Sequence, residues 1–366
     1  MVTQRKREAQ KKILRMKKYE IDNYTLYPYS HLSYEEWLEI RSSFGLALGG
    51  SDISVVMGVN KYSTLAELFD QKLGLSNPPN LQGNKSVFWG NALEDVVLEK
   101  SQYLDIDHKD SYLDNSAHER KMRNHVPFNY TIQNDNLHWL FANVDGLWVD
   151  DNEKTIESNL KKGKLPNPKA IIEIKTMNRN VFDMWENGMP IGYLYQVLSY
   201  LTQYTFMNEE IEGYIFSLVA GIELHGYRIR YDDEVINEML ERSREFYELL
   251  LMGQDIIQNS SNPVQMELGL HDIRPEADGS LRYQEYMNKK YLERLDISNI
   301  AEGDDAIQEI AEKYAEQNAF IKEANKHKRL YGNQIRETLA KMNVGQINLP
   351  KGGYVKYNNK LIIKVK

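Results

Sequence analysis

The sequence predicts an α/β fold, a mixed β-sheet core flanked by helices, with a C-terminal helical extension and a terminal β-hairpin. Three observations predict it. Short apolar runs of strand length recur at 141–149, 170–177, 212–219 and 222–231, each bounded by polar or glycine-bearing turns. Amphipathic stretches at helical period fall between and beside them, at 86–103, 191–206 and 232–252, the alternation expected of a sheet covered by helices. Past residue 283 the pattern changes to long, strongly charged helical stretches, and the chain ends in alternating runs around Asn358-Asn359, a hairpin signal.

Taken in order, residues 1–26 form a basic N-terminal arm. Arg5, Lys6, Arg7, Lys11, Lys12, Arg15, Lys17 and Lys18 stand there against the single acid Glu8, and either a solvated tail or a DNA-contacting segment has that composition. A core domain follows over 27–258. Ser33-Tyr34-Glu35-Glu36 reads as a capping box opening a short helix that ends near Arg41. Gly49-Gly50-Ser51-Asp52 reads as a turn with Ser51 as the N-cap of a short buried helix stopped by Gly58, and Thr64 caps a second helix running to Gly74. The helix over 86–103 turns Trp89, Leu93, Val96, Val97 and Tyr103 toward a core, with Glu94 beside that face. Strands at 125–132 and 138–149 should pair as a hairpin, and 150–169 extends the connection to the strand at 170–177. Two further strands turn at Ala220-Gly221. Residues 259–282, rich in Ser, Asn, Pro and Gly, mark a linker before the extension at 283–366, whose narrow apolar stripe suits a helical hairpin or an oligomer contact.

Bulk properties narrow the function. With no cysteine, the chain has no disulfide framework, cysteine zinc site, thiol nucleophile or cysteine-held iron–sulfur cluster. His108, His118, His125 and His138 fall at no spacing that suggests a shared metal. No apolar run approaches a membrane span and no signal-peptide core follows the basic start, so a cytoplasmic protein is expected. The net charge of −8 speaks against nucleic acid only as an average. Acids gather in 232–248 and 302–317 while the start is basic, and distribution decides the electrostatic footprint.

The chemistry concentrates in Ala170-Ile171-Ile172-Glu173-Ile174-Lys175-Thr176-Met177. Alternate strand residues share a face, so Glu173 and Lys175 point together out of an otherwise apolar strand. A cross-strand ion pair would explain them alone. Upstream, however, Phe141-Ala142-Asn143-Val144-Asp145-Gly146 carries a lone acid on a second strand-like run, followed by a glycine that permits a bulge or close approach. Two carboxylates on neighbouring strands make an oxygen-rich site for Mg²⁺ or Mn²⁺, and an adjacent lysine can hold or activate a water.

An Asp, a gap and then Glu-x-Lys resembles the PD-(D/E)xK nuclease superfamily, and further segments resemble its YqaJ viral recombinase and lambda exonuclease branch. Trp89-Gly90-Asn91-Ala92-Leu93-Glu94 matches a Trp-Gly-x-x-x-Glu helix segment, Tyr193-Leu194-Tyr195-Gln196 matches Tyr-x-x-Gln, and Arg41 precedes a small-residue turn with Ser51. Val144 stands where the superfamily name records a proline, which removes no ligand. The resemblance implies a restriction-endonuclease-like core and a 5′-to-3′ double-strand DNA exonuclease of phage-type recombination. It implies Glu94, Asp145, Glu173 and the Ile174 carbonyl as ligands of Mg²⁺ or Mn²⁺, Lys175 at the water and Gln196 orienting Lys175. Arg41, Ser51 and Tyr193 would face the substrate, Arg41 and Ser51 at the terminal phosphate. It further implies a trimeric ring around double-stranded DNA and a single-strand annealing protein as partner. A structure-specific endonuclease on the same scaffold, or a non-catalytic DNA-binding or assembly module using the helical tail, remains an alternative.

Overall fold

The computed structural model describes residues 16–30, 46–76, 83–104, 123–183, 189–205, 210–292 and 302–365, with Leu32 and Glu36. Most of the basic arm, the helix expected to end at Arg41, and Arg41 itself lie outside the described residues. The chain divides into two compact units at Glu293/Arg294.

The first unit is built on a five-stranded mixed sheet whose middle strand is the one that carries Glu173. Strand β6 (Ala170–Met177) pairs antiparallel with β5 (Gly146–Trp148) on one edge and parallel with β7 (Glu212–Val219) on the other; with β3 (His125–Pro127) beyond β5 and β8 (Glu223–Ile229) beyond β7 the order is β3-β5-β6-β7-β8. Parallel neighbours need a crossover, and helix α5 (Ile191–Tyr204) supplies it. β7 returns as β8 (Glu223–Ile229) through Ala220 and Gly221, both left-handed at φ 52° and 73°. The expected turn is therefore there, with its two central residues in the conformation that matches strand twist.

Helices cover both faces. Even-numbered residues of β6 lie under helix α3 (Lys85–Ser101): Val97 and Leu98 join Ile172, Ile174, Tyr214 and Phe216 in one buried cluster. Odd-numbered Ile171 belongs to the opposite cluster, with Ile215, Val197 and Leu201 of α5, Ile53 of α1 (Gly50–Val56) and Met239 of α6 (Asp233–Asn259). The inward face of α3 is shifted from the expected one. Trp89 and Val96 are 59% and 49% exposed, while the buried residues, Val97, Leu98 and Ser101, all lie in the C-terminal half of the helix.

Several boundaries differ from the sequence reading. The run at 125–132 is two strands, β3 (His125–Pro127) pairing with β5 and β4 (Tyr130–Asn134) pairing with β2 (Tyr24–Pro28) in a separate three-stranded sheet. Pro127 has no amide to extend the first ladder, and Phe128 turns into the core at 1% exposure. That second sheet begins with β1 (Tyr19–Ile21), so the folded unit starts before residue 27. The connection after β5 folds as helix α4 (Glu153–Lys161), capped by Asn152 and burying Ile156 and Leu160 one turn apart. Thr64 and Gly74 bound α2 (Leu65–Leu73) as expected, by a capping box and a left-handed stop.

The linker expected at 259–282 is instead structured. It holds helix α7 (Pro263–Ile273), with Leu270 fully buried, and leads into α8 (Leu281–Lys290). Charge fixes these helices to α2. Asp70, fully buried, accepts hydrogen bonds from Tyr286 Oη at 2.6 Å, Arg274 Nε at 3.3 Å and the Lys290 ammonium. One turn earlier Glu67 is gripped by Arg282 through Nη2 at 2.7 Å and Nε at 3.0 Å. Composition could not show this, since each partner lies some 200 residues from the acid it meets.

The second unit comprises helix α9 (Asp305–Met342) and a three-stranded antiparallel sheet of β9 (Gln346–Asn348), β10 (Gly353–Asn358) and β11 (Lys360–Val365). The hairpin at Asn358-Asn359 is its second turn.

Removing Asp70 leaves Arg274 and Lys290 without their buried partner. Asp70→Ala should cost about 3–5 kcal/mol, seen as a lower urea midpoint of the first unit's transition. An unchanged midpoint would mean that α7 and α8 contribute nothing to that unit's stability.

Candidate active site

The site begins where β5 stops. Its ladder with β6 closes at Gly146 opposite Ile172, and the Asp145 amide still donates to the Ile172 carbonyl at 3.1 Å. One step further along that edge, the Ile174 amide donates to the Asp145 carboxylate, Oδ2, at 2.6 Å. A side chain has replaced the neighbouring strand. Because the amide and carbonyl of one strand residue share an edge, the Ile174 carbonyl lies on the same unpaired edge.

Glycine makes the approach possible. A Cβ on Gly146 would stand 2.6 Å from Leu98 Cδ1 and 3.0 Å from the Val126 carbonyl oxygen, so only glycine lets α3 lie this close to β5. That closeness brings Glu94, one turn before Leu98, to the open edge. On the opposite layer a Cβ on Gly50 would stand 2.5 Å from Tyr200 Cε1 and 3.0 Å from Gln196 Cγ, so α1 packs directly beneath the part of α5 that carries Gln196. Both layers therefore meet at one cavity of about 1110 Å³, lined by Glu94, Asp145, Glu173, Lys175 and Gln196 among others.

Glu173 is the hub. It is 5% exposed, and its Oε1 accepts a hydrogen bond from Gln196 Nε2 at 2.7 Å and one from the Lys175 ammonium. Gln196 also reaches Tyr200 Oη at 3.1 Å. The expectation that Gln196 holds Lys175 is thus corrected: it holds the carboxylate that Lys175 pairs with. The Lys175 ammonium stands 5.0 Å from the centre of the Tyr193 ring, a cation–π contact that adds a second constraint.

The charges resist one another. Burial, then the Glu173 and Asp95 charges, push the Glu94 carboxyl up to about 7 against the pull of Lys175. Burial, then Glu173 and Glu94, hold Asp145 well above the usual carboxylate range, although Lys175 and the Ile174 amide oppose them. For Lys175 burial favours the neutral amine, but Glu173 and Asp145 outweigh it and the pKa is raised. Lys175 is an ammonium at neutral pH.

Three carboxylates with a backbone carbonyl are hard oxygen donors, the set preferred by Mg²⁺ and Mn²⁺. Among the described residues no three acidic or histidine side chains already close on one point. One oxygen each of Glu173 and Asp145 is committed to a protein donor, and the mutual repulsion of the acids is what a divalent cation would relieve. The donor chemistry fits such an ion.

Ser51 lines the cavity but does not cap α1. Gly49 holds the N-cap position and its amide donates to Asp52 Oδ2 at 2.9 Å, while Lys72 pairs with the same oxygen at 2.7 Å. Ser51 is thereby left on the rim. Sequence reasoning missed another part of that rim, Asn60-Lys61-Tyr62. Asn60 Oδ1 accepts from the amides of Tyr62 and Ser63 at 2.7 and 3.0 Å, and its Nδ2 donates to Ser54 Oγ at 2.7 Å. An Asx turn after Gly58 could have been read from the sequence. Its position beside the acids could not.

Residues 36–205 match the family model of the YqaJ-like viral recombinase domain. Over those residues the chain is similar to this domain. The matched span encloses Glu94, Asp145, Glu173, Lys175 and Gln196 and leaves out the second unit. The chain is also 25% identical over 265 residues to the uncharacterized protein YqaJ of Bacillus subtilis (strain 168), a match covering 72% of this chain and 65% of that protein, just under two thirds of its length. Among solved structures it is similar to the alkaline exonuclease LHK-Exo from Laribacter hongkongensis (17% identity, 61% of this chain and 96% of that one, TM-score 0.41). A phage-related exonuclease from Haemophilus somnus 129PT shows 13% identity, 56% and 95% coverage and a TM-score of 0.32.

Raised carboxyl pKa values fix a sign. Folding favours the protonated form of Glu94, so its contribution to stability is present below its ordinary value of 4.5 and lost as pH rises through about 7. Without metal, Glu94→Gln should therefore stabilise the protein by about 1–3 kcal/mol at pH 8 and little at pH 5, measured by urea unfolding in chelator. An equal effect at both pH values would show that Glu94 is not the strained acid.

Proposed function

We propose that the chain is a metal-dependent deoxyribonuclease acting as a 5′-to-3′ exonuclease on double-stranded DNA, leaving 3′ single-stranded tails for recombination. The observation that carries this reading is the meeting of Glu94, Asp145, Glu173 and Lys175 at the open edge of β6. Glu94, Asp145, Glu173 and the Ile174 carbonyl would hold Mg²⁺ or Mn²⁺, and an ion bound there would supply the charge that polarises a phosphodiester and stabilises a departing oxygen.

The protein's own groups do the positioning. Lys175, charged and fixed between Glu173 and the Tyr193 ring, donates to the attacking water and to phosphate oxygen rather than acting as a base. Gln196 holds Glu173 in one orientation, and Tyr200 backs Gln196. Ser51 and Lys61 stand at the rim where a strand enters, and Lys61 offsets the repulsion between the acids and incoming phosphates. From the family resemblance, Arg41 joins Ser51 at the 5′-terminal phosphate, the chain assembles as a trimeric ring that keeps hold of the duplex, and a single-strand annealing protein receives the exposed strand.

A linear 5′-phosphorylated duplex and a closed circle of the same sequence, each with Mg²⁺, test the reading. Progressive loss of the linear duplex from its 5′ ends with the circle intact is expected, and Glu173→Ala should slow it by about 100-fold or more. Cutting of the circle would assign an endonuclease instead, and wild-type rates in Glu173→Ala would remove the site. Arg41→Ala should abolish the preference for a 5′-phosphate over a 5′-hydroxyl end while cleavage of either persists.

A further inference from the structure

Helix α9 carries large apolar side chains that its own unit leaves bare. Ile307, Ile310, Tyr314, Ile321, Leu330 and Tyr331 are 51–71% exposed. The last third of the helix is different: Gly332 and Leu339 are buried, and a Cβ on Gly332 would lie 3.6 Å from Leu361 of β11. The terminal sheet thus covers the end of the helix and stops there. What stays open is 304–331, four heptads and roughly 42 Å of helix.

The open stretch has a seam. Positions 307, 310, 314, 317, 321, 324, 328 and 331 step alternately by three and four, and all but Gln317 and Lys328 are apolar. A stripe of this length and step is the pattern that winds against another helix. Charge selects the partner and its direction. Residues 304–317 hold Asp304, Asp305, Glu309, Glu312 and Glu316 against Lys313, whereas 318–331 hold Lys322, Lys326, Lys328 and Arg329 against Glu323. Local pairs such as Lys313–Glu309 and Lys326–Glu323 leave that imbalance in place. Two copies laid parallel would set acid half on acid half. Laid antiparallel, each acid half lies along a basic one. A DNA backbone has no use for the acid half.

We propose that residues 304–331 pair antiparallel with the same stretch of a second copy of this chain. In the register that preserves the seam, Ile307 lies opposite Tyr331, Ile310 opposite Lys328, Tyr314 opposite Ala324 and Gln317 opposite Ile321. Every three-step position then meets a four-step one, a large ring faces a methyl group, and Lys328 lies level with Glu309 and Glu312 of the other copy. The contact is two-fold and self-complementary. It lies outside the matched domain and is independent of the nuclease reading.

The chain has no cysteine of its own, so introduced thiols report the pairing cleanly. Full-length Ile310→Cys and Lys328→Cys proteins would be oxidised mildly, each alone and mixed. The mixture should give a disulfide-linked dimer and neither variant alone should, because like positions are about 27 Å apart in the antiparallel pair. The cross-link should be lost when Tyr314 and Ile321 are changed to Asp, and fall at high salt. A dimer from Ile310→Cys alone would mean parallel pairing, and no dimer in any tube would mean no pairing here. Either overturns the proposal. So would Tyr314→Asp/Ile321→Asp weakening DNA binding while the mixed cross-link persists, which would assign the stripe to nucleic acid.

Discussion

Everything chemical in this protein depends on a strand that ends early. β5 pairs with β6 for three residues only, and beyond Ile172 this edge of β6 has no further ladder pair among the described residues. Asp145 takes the Ile174 amide that a continuing strand would have taken. In an intact sheet, Glu173 on one face and Glu94 on the helix over the other face would be separated by β-structure. Here they line one space. The interruption is therefore what turns two layers of ordinary packing into a single polar centre.

The same interruption sets an electrostatic problem that the surrounding packing is arranged to contain. Three acids converge with one ammonium, and burial raises the cost of every unneutralised charge. The protein offsets part of this by aiming Lys175 and Gln196 at one oxygen of Glu173 and an amide at one oxygen of Asp145. It leaves Glu94 strained, with its pKa pushed up to about 7. Glycines at 146 and 50 hold the two layers close enough for the acids to feel one another, so stability is given up locally where the acids crowd. Perturbed acids in a cleft are a functional signature with this physical cause.

The sequence made the strand and its pair of charges legible, because Glu173 and Lys175 are two residues apart and a strand has period two. Gly146 beside Asp145 was legible as a close approach, though not as contact with Leu98. The target of Gln196 was not, since helical spacing gives the face a side chain leaves from and not the atom it reaches. Trp89 was misplaced because an amphipathic pattern does not fix which side of a helix turns inward: Gly90 faces Thr176 while Trp89 beside it is exposed. Residues 259–282 looked like a linker because their composition carries turn signals, whereas Arg274, Arg282 and Lys290 are tied to Asp70 and Glu67 by contacts that no local window contains. The split of 125–132 at Pro127 was legible in principle, for a proline cannot donate to a continuing ladder.

The proposed chemistry requires Glu94, Asp145 and Glu173 to act as one cation centre. Mn²⁺ binding to the full chain, followed by magnetic resonance of the free ion, measures it most directly in wild type and in Glu94→Gln, Asp145→Asn and Glu173→Gln. Wild type should bind saturably, and each of the three changes should weaken binding at least tenfold, about 1.4 kcal/mol or more. Equal binding by all four proteins would contradict it.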